Sequence, residues 1–358
     1  VVPTYNVEKY LSRCLDSLLY DEKTNKKLEI IVVNDGSKDN SLKIANEYKE
    51  KYPDSVLVID KENGGHGSTI NAGLKIATGK YFRVIDSDDW VNIDEFPSYI
   101  NDLEKLNSDI VLTNFSREYI YNSTQVISKY PKAIEYNKEY NLDNFDFNLL
   151  KNEYFYMATS TIKTSILKEC NLHLDEKTFY VDMEYNIFPF PYYKTMTYLN
   201  YDIYRYFIGR PEQSISKGGF VNHRKDHEKV LKKLIEFYTK LEVDDNRKKY
   251  IKKILLLTLD SHYVIYCYSP IEKDLTNIMR KEIREFTKYF KNKNTELYNE
   301  FLNTQFFAKI NIKTNFIFAA TKHNYFTRIM YIIQNRRKHE VAGTVIKTGR
   351  RESQTAWL

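Results

Sequence analysis

Asp86, Asp88 and Asp89 put three carboxylates within four residues, directly after the short apolar run Tyr81-Phe82-Arg83-Val84-Ile85. Carboxylates this close repel one another unless a cation or solvent screens them. At the C-terminal end of a strand they suit a divalent metal and a phosphorylated ligand. The plainer alternative is that Asp86, Ser87 and Asp88 form a solvated turn that caps the next helix. A second stretch precedes them, Asn63-Gly64-Gly65-His66-Gly67-Ser68-Thr69-Ile70-Asn71-Ala72-Gly73, a glycine loop running into a helix. Ser68 or Thr69 is expected to cap that helix and Gly79 to end it, with Ile70, Leu74 and Ala77 on one face. His66 is a hydrogen-bonding residue of that loop, with no second histidine nearby to suggest a metal site.

These residues need a scaffold that brings strand ends together. Val1 to Asn6 reads as the tail of a strand entering a loop, and Leu11, Leu15 and Leu18 mark the helix after it. Leu28 to Val33 is a continuous apolar run suited to a buried parallel strand, ending on Asn34-Asp35-Gly36-Ser37. A helix carrying Leu42, Ala45 and Tyr48 follows, then a strand at Ser55 to Ile59. The glycine loop, a strand at Tyr81 to Ile85, a helix over Asp94 to Leu106 and a strand at Asp109 to Thr113 complete the pattern. Such alternation implies a doubly wound, mostly parallel α/β sheet, in which ligands sit beyond the carboxyl ends of the strands. Pro3-Thr4, Asn34-Asp35-Gly36 and Asp86-Ser87-Asp88 should therefore converge. Asp35 either accepts a hydrogen bond from a nucleobase or ribose, or caps the helix beginning near Asp39. Two nucleotide signatures are excluded. The Rossmann pattern lacks its third glycine, and Tyr81 stands where a phosphate loop ending at Gly79-Lys80 needs Ser or Thr.

With 358 residues the chain is too long for one small core and suggests two domains. The longest apolar candidate, Ile254 to Tyr268, is broken by Asp260 and His262, so no run is long enough to span a bilayer. The chain opens on Val1-Val2-Pro3-Thr4 without Met, which leaves an upstream segment or targeting signal open. Cys14, Cys170 and Cys267 are odd in number and far apart, which suits a reducing, cytoplasmic compartment better than a disulfide framework or a zinc site. Residues 1–220 hold 26 Lys and Arg against 33 Asp and Glu, whereas residues 221–340 hold 25 against 14. The acidic front argues against nucleic acid as a partner; the basic back suits either an anionic surface or a solvated lysine face. Val230, Leu234, Phe237 and Leu241 form one helical stripe there, and Met279, Ile283, Phe286 and Phe290 another. Tyr325 to Gln334, followed by Arg336-Arg337-Lys338, reads as a terminal amphipathic helix that could meet an anionic membrane. The expected division is a catalytic domain over 1–220, a smaller helical domain over 221–340 and a flexible tail over 341–358.

Taken in order, these pieces resemble the family 2 glycosyltransferases of the GT-A fold, of the type that builds bacterial surface polysaccharides. The matching stretches are Pro3-Thr4-Tyr5-Asn6, Val33-Asn34-Asp35-Gly36-Ser37, the glycine loop with Asn71 and Gly73, and Asp86-Ser87-Asp88-Asp89. Phe179-Tyr180-Val181-Asp182-Met183-Glu184 looks like the family's acidic motif, and Arg205-Tyr206-Phe207 with Arg210, Gln213 and Ser214 resembles its site-closing segment. The resemblance implies a nucleotide-sugar donor, most often a uridine one, with Pro3, Thr4, Asn6, Asp35, Gly65, His66, Asn71, Asp86 and Ser87 on the donor side. Thr4 and Asp35 would hold base and ribose, and Asp86 the nucleotide. Asp88 would hold Mn²⁺ or Mg²⁺ across the diphosphate. Asp182 would be the general base of a single inverting displacement onto a glycan or lipid-linked acceptor, at the cytoplasmic face of the membrane. One departure stands out: Val181 precedes Asp182 where the family usually has Glu, and Glu184 follows two residues later. On a helix the two acids point in different directions, so only one can be the base. Two rivals remain. A sugar-phosphate nucleotidyltransferase would carry a Gly-x-Gly-Thr-Arg loop where Pro3-Thr4-Tyr5-Asn6 stands, and a silent glycan-binding protein would have no need of Asp86, Asp88 and Asp182.

Overall fold

Ile30-Ile31-Val32-Val33 has no polar face, and a strand of that kind is stable only with both faces covered. It forms the middle of a three-stranded parallel sheet in which β2 (Ile30–Asp35), buried along its whole length, lies between β1 (Val2–Thr4) and β3 (Val56–Lys61). The connections are helical: α1 (Leu11–Leu18) and α2 (Glu22–Asn25) lead from β1 to β2, and α3 (Ser41–Lys51) leads from β2 to β3. The computed structural model describes residues 1–119, 123–151, 153–209, 217–268 and 273–316. The chain divides into two units, Val1–Pro211 and Glu212–Leu358.

Beyond β3 the first unit continues through α4 (His66–Ile76), β4 (Tyr81–Phe82), β5 (Trp90–Val91), α5 (Phe96–Lys105), β6 (Ile110–Tyr119), β7 (Thr124–Ser128), β8 (Glu139–Asn141), β9 (Ser160–Lys163), α6 (Thr164–Glu169), α7 (Asp182–Ile187) and β10 (Thr195–Ile208). A second sheet has the order β4-β9-β6-β10-β5, with β7 beside β6 and β8 beside β10. Its central pair, β6 and β10, is parallel, and the other pairs are antiparallel. The parallel order expected from the alternating pattern thus holds for β1 to β3 and for the β6–β10 pair. The antiparallel partners are β4 and β5, two residues each, and β7, β8 and β9 from the stretch after Thr113.

The expected strand over Tyr81 to Ile85 is short as a ladder, because only Tyr81 and Phe82 pair with β9. Arg83 and Ile85 turn instead to the other sheet: Val1 donates to the Arg83 carbonyl at 2.8 Å, and the Ile85 N–H donates to Val1 at 3.0 Å. These two bonds join the sheets at the point where the chain enters the acidic loop. Beneath them Leu11, Cys14 and Leu15 of α1 pack with Val32, Ile85, Val91, Val111 and the Phe96, Tyr99, Ile100 and Leu103 face of α5.

The second unit is helical, with α8 (Lys217–Asn222), α9 (Arg224–Lys240), α10 (Asp245–Tyr268), α11 (Lys273–Lys293), α12 (Thr295–Thr304) and α13 (Phe306–Lys313). Met279, Ile283, Phe286 and Phe290 are fully buried on α11, as their spacing predicts. In the α9 stripe Val230 and Leu234 are buried, while Phe237 and Leu241 lie at its edge. Each buried apolar side chain of this size contributes about 1.5–3 kcal/mol relative to exposure. Among the described residues no helix is long and apolar enough to cross a membrane. The terminal stripe at 325–334, the Arg336-Arg337-Lys338 cluster and the tail from 341 lie outside the described residues.

Candidate active site

Three side chains from distant parts of the sequence share one acidic neighbourhood. His66, the first residue of α4, places Nε2 at 2.8 Å from Oδ1 of Asp86, with side-chain exposures of 34% and 29%. Asp182, the first residue of α7, acts electrostatically on both. Burial alone would lower the His66 pKa; the charge and hydrogen bond of Asp86, helped by Asp182 and Asp35, outweigh it and raise the imidazole above its ordinary value. Burial raises the Asp182 carboxyl, His66 works against that rise, and Asp86 adds to it. A half-buried carboxylate with a raised pKa is suited to take a proton near neutral pH. Tyr154 and Tyr206 border this acid: burial raises both phenols, and the Asp182 charge adds to the rise in each. Tyr154 also lies against Tyr156, ring centroids 3.8 Å apart.

The acidic loop is clamped from two sides. The turn after Asp86 leads into β5, with α5 starting only at Phe96. The reading of Asp86–Asp88 as a helix cap therefore does not hold. From β10, the Tyr204 hydroxyl donates to Oδ2 of Asp89 at 2.5 Å, and the Phe207 N–H donates to Oδ1 at 2.8 Å. The same hydroxyl lies 3.3 Å from Asp86 Oδ2. Asp89 is fully buried; burial and then the charge of Asp86 push its carboxyl well above the usual range. From α1, Ser17 Oγ accepts from the Val91 N–H at 3.0 Å. Asp88 keeps a partly exposed side chain.

The glycine loop lets another segment of backbone approach closely. Gly65 sits at φ 82°, at the N-cap of α4, where a Cβ would come within 3.1 Å of the Lys177 backbone. A Cβ on Gly67 would lie 2.3 Å from the Asp175 carbonyl. Lys177 donates its N–H to the Gly64 carbonyl at 2.5 Å, and both ends of the Asn71 amide bond the Leu174 backbone at 2.9 Å. The glycines thus let the segment that leads to Asp182 lie flat against the start of α4. Tyr180, with φ 65°, makes the left-handed turn that opens α7.

Other expected donor residues are placed structurally. Asp35, 2% exposed, accepts from the Gly64 and Gly65 N–H groups at 2.8 and 2.7 Å and from Lys61 Nζ at 2.8 Å. It does not cap α3: the Ser41 N–H donates to Asp39. Pro3, Thr4 and Ser87 are buried, and Thr4 Oγ1 donates to the Val2 carbonyl. Asn6, at φ 51°, accepts from the Lys38 N–H and so ties two strand-end loops together. Glu184 is fully buried and accepts from the Asp175 N–H at 2.9 Å, so it faces away from Asp182 as a helix requires. Ser68 and Thr69 do not cap α4; their hydroxyls donate to the Gly65 and His66 carbonyls inside its first turn. The helix ends at Ile76, and Gly79 lies beyond it, its N–H donating to Glu29. Arg210, Gln213 and Ser214 lie outside the described residues. Sequence reading missed Tyr204, just before the quoted Arg205-Tyr206-Phe207 on β10, and Arg13 on α1, which support the acidic loop. Only the burial of Asp89 exposes that need.

Among the described residues no group of three or more His, Cys, Asp or Glu side chains could hold a metal by itself. That is compatible with Mg²⁺ or Mn²⁺ bound by one or two carboxylates and completed by substrate phosphates and water. Asp88, partly exposed in the same loop, offers a hard oxygen of the kind such a cation takes.

Residues 1–169 match the family model described as Glycosyl transferase family 2. Over 125 residues the chain is 38% identical to Glycosyltransferase GlyA of Streptococcus pneumoniae, covering 35% of this chain and 17% of that protein. Over 114 residues it is 41% identical to Poly(ribitol-phosphate) beta-glucosyltransferase of Bacillus spizizenii, covering 31% of this chain and 18% of that protein. The aligned stretches span less than a fifth of the length of either curated relative. A crystal structure of S. aureus TarS 1-349 in complex with UDP-GlcNAc superposes with a TM-score of 0.57 at 18% identity, covering 95% of this chain and 90% of that one. At that identity the likeness is one of fold.

Proposed function

We propose, from the premise that residues 1–169 belong to the family 2 glycosyltransferases, that the chain transfers a sugar from a nucleotide-sugar to a glycan or lipid-linked acceptor hydroxyl. The observation that supports this most is the meeting of Asp86, His66 and Asp182, which sets a nucleotide-side acid, a cationic donor and a proton acceptor around one space. The acceptor oxygen attacks the anomeric carbon from the face opposite the diphosphate. Its proton passes to Asp182, the bond from carbon to diphosphate oxygen breaks, and the configuration inverts. His66, cationic beside Asp86, offers an N–H to the donor. A divalent cation held by Asp88 would neutralise charge developing on the departing nucleoside diphosphate. A uridine donor is favoured because the structurally similar TarS 1-349 is described with UDP-GlcNAc. The basic balance of residues 221–340 supports contact with an anionic membrane surface, where lipid-linked acceptors reside.

The test is product formation. The chain is incubated with UDP-sugars and glycan acceptors, with Mn²⁺ or with chelator, and both released UDP and glycosylated acceptor are measured. Metal-dependent release matched by acceptor mass gain supports the reading. Formation of a new nucleotide-sugar from a sugar phosphate would move it to a nucleotidyltransferase, and binding without turnover would leave a glycan-binding protein.

A further inference from the structure

We infer that Arg13 is a positioning residue for the acidic loop: it fixes the Asp88 backbone so that the Asp88 carboxylate is presented to a cation and diphosphate. The inference rests on the donor-site reading given above and goes beyond it to a residue on another element. Arg13 projects from α1 with its guanidinium over the Trp90 ring, 3.8 Å from the centroid, and over Phe207, at 4.2 Å. Tyr10 is farther, at 5.9 Å. From the corner that these two rings form, Nη2 donates to the Asp88 carbonyl at 2.9 Å. Arg can do this because its planar cation stacks on rings through its faces while its N–H groups donate in the plane.

The surroundings show why Asp88 needs such a support. The side chain of Asp88 is partly exposed, and the loop that carries it is held on both sides of it, Asp86 and Asp89 being bonded to Tyr204. Trp90 and Phe207 also touch each other, edge to face at 5.6 Å, and the Phe207 N–H holds Asp89. Arg13 therefore fastens α1, the acidic loop and the end of β10 at one point. Groups that orient a metal ligand from behind typically change metal affinity by about 10- to 100-fold when removed.

The test measures UDP affinity calorimetrically, in Mn²⁺ and in chelator, for the wild-type chain and for Arg13→Met, which keeps an apolar stem against the two rings. The expected result is that Mn²⁺ strengthens UDP binding in the wild type and that Arg13→Met loses this increment by about 10- to 100-fold. Its affinity in chelator stays at the wild-type value, and Arg13→Lys recovers part of the increment by keeping a cationic donor. An unchanged increment in Arg13→Met overturns the inference. So does an equal loss with and without Mn²⁺, which a merely structural role would produce. If Arg13→Met does not fold, Arg13→Gln is too short to reach the Asp88 carbonyl from beside the rings and carries the same comparison. A wild-type chain whose UDP binding ignores Mn²⁺ removes the metal reading itself, and this inference falls with it.

Discussion

Two histidine contacts separate the halves of this chain. In the first unit His66 meets Asp86 at 2.8 Å, partly open to solvent. In the second, His227 meets His262 at 3.1 Å, with exposures of 6% and 0%. The same side chain is driven in opposite directions. Carboxylates hold the proton on His66. Burial lowers His227 to about 4, and burial with the charges of His227, Lys225 and Lys232 drives His262 well below its usual value. Tyr263, Tyr266 and Phe286 surround His262 with rings. One histidine is set among acids that it serves; the other two are packing residues that share a proton between rings. The lesson is that the first unit gathers carboxylates around its histidine at a cost in stability, as functional sites do, whereas the second packs its histidine pair against rings.

The largest effect that can break this contrast is acid. A buried histidine with a lowered folded pKa supports the fold fully above its unfolded value near 6.5, and that support is lost as pH falls toward about 4. Over this window His227 alone removes about 3 kcal/mol. His66 has the opposite sign, its contribution being present below the unfolded value and lost as pH rises through the raised folded one. Amide exchange of the full chain at pH 7 and pH 4.5 should show α9 and α10 losing protection, with the loss blunted in a His227→Leu, His262→Leu double variant. Unchanged protection of those helices in acid would erase the contrast.

The next effect sharpens the account of the glycine loop. Gly67→Ala places a methyl 2.3 Å from the Asp175 carbonyl and should destabilise the first unit by about 1–3 kcal/mol. Because that carbonyl lies on the segment leading to Asp182, turnover should fall further than stability does. Gly79→Ala meets nothing closer than 3.5 Å and serves as the control. Equal behaviour of the two variants in urea melts would remove the close-approach argument.

Much of this was legible from residue pattern. The apolar run of β2, the stripes of α5 and α11, and the separation of Asp182 from Glu184 on one helix all follow from local periodicity. What local pattern could not supply was partnership over distance. Asp35 reads as either a ligand contact or a cap, and Asn71 enters only through the family resemblance, because nothing in their neighbourhood shows that Gly65 and Leu174 will engage them. Ser68 and Thr69 read as caps because the chain enters α4 through a glycine at positive φ, which no side-chain pattern announces. The length of β6 depends on its register with β10, more than eighty residues away. Arg13 and Tyr204 were invisible for the same reason.

A smaller effect concerns Asp182 itself. Its folded pKa is raised, so its contribution to stability is full below the unfolded carboxylate value and is lost as pH rises through the folded one. Asp182→Asn should therefore melt slightly higher than the wild type at pH 8 and alike in acid. A lower melting point for the variant at pH 8 would show that the carboxylate is stabilising and poorly suited to be a strained base.

The same substitution gives the most direct test of the central claim, that Asp182 takes the acceptor proton while the His66–Asp86 side binds the donor. UDP affinity and the rate of glycosyl transfer are measured side by side in Asp182→Asn and in the wild type. The account predicts an affinity within about twofold of wild type and a rate lower by about 10²- to 10⁴-fold, the usual loss for a general base. Full turnover in the variant, or affinity and rate falling together, would contradict it.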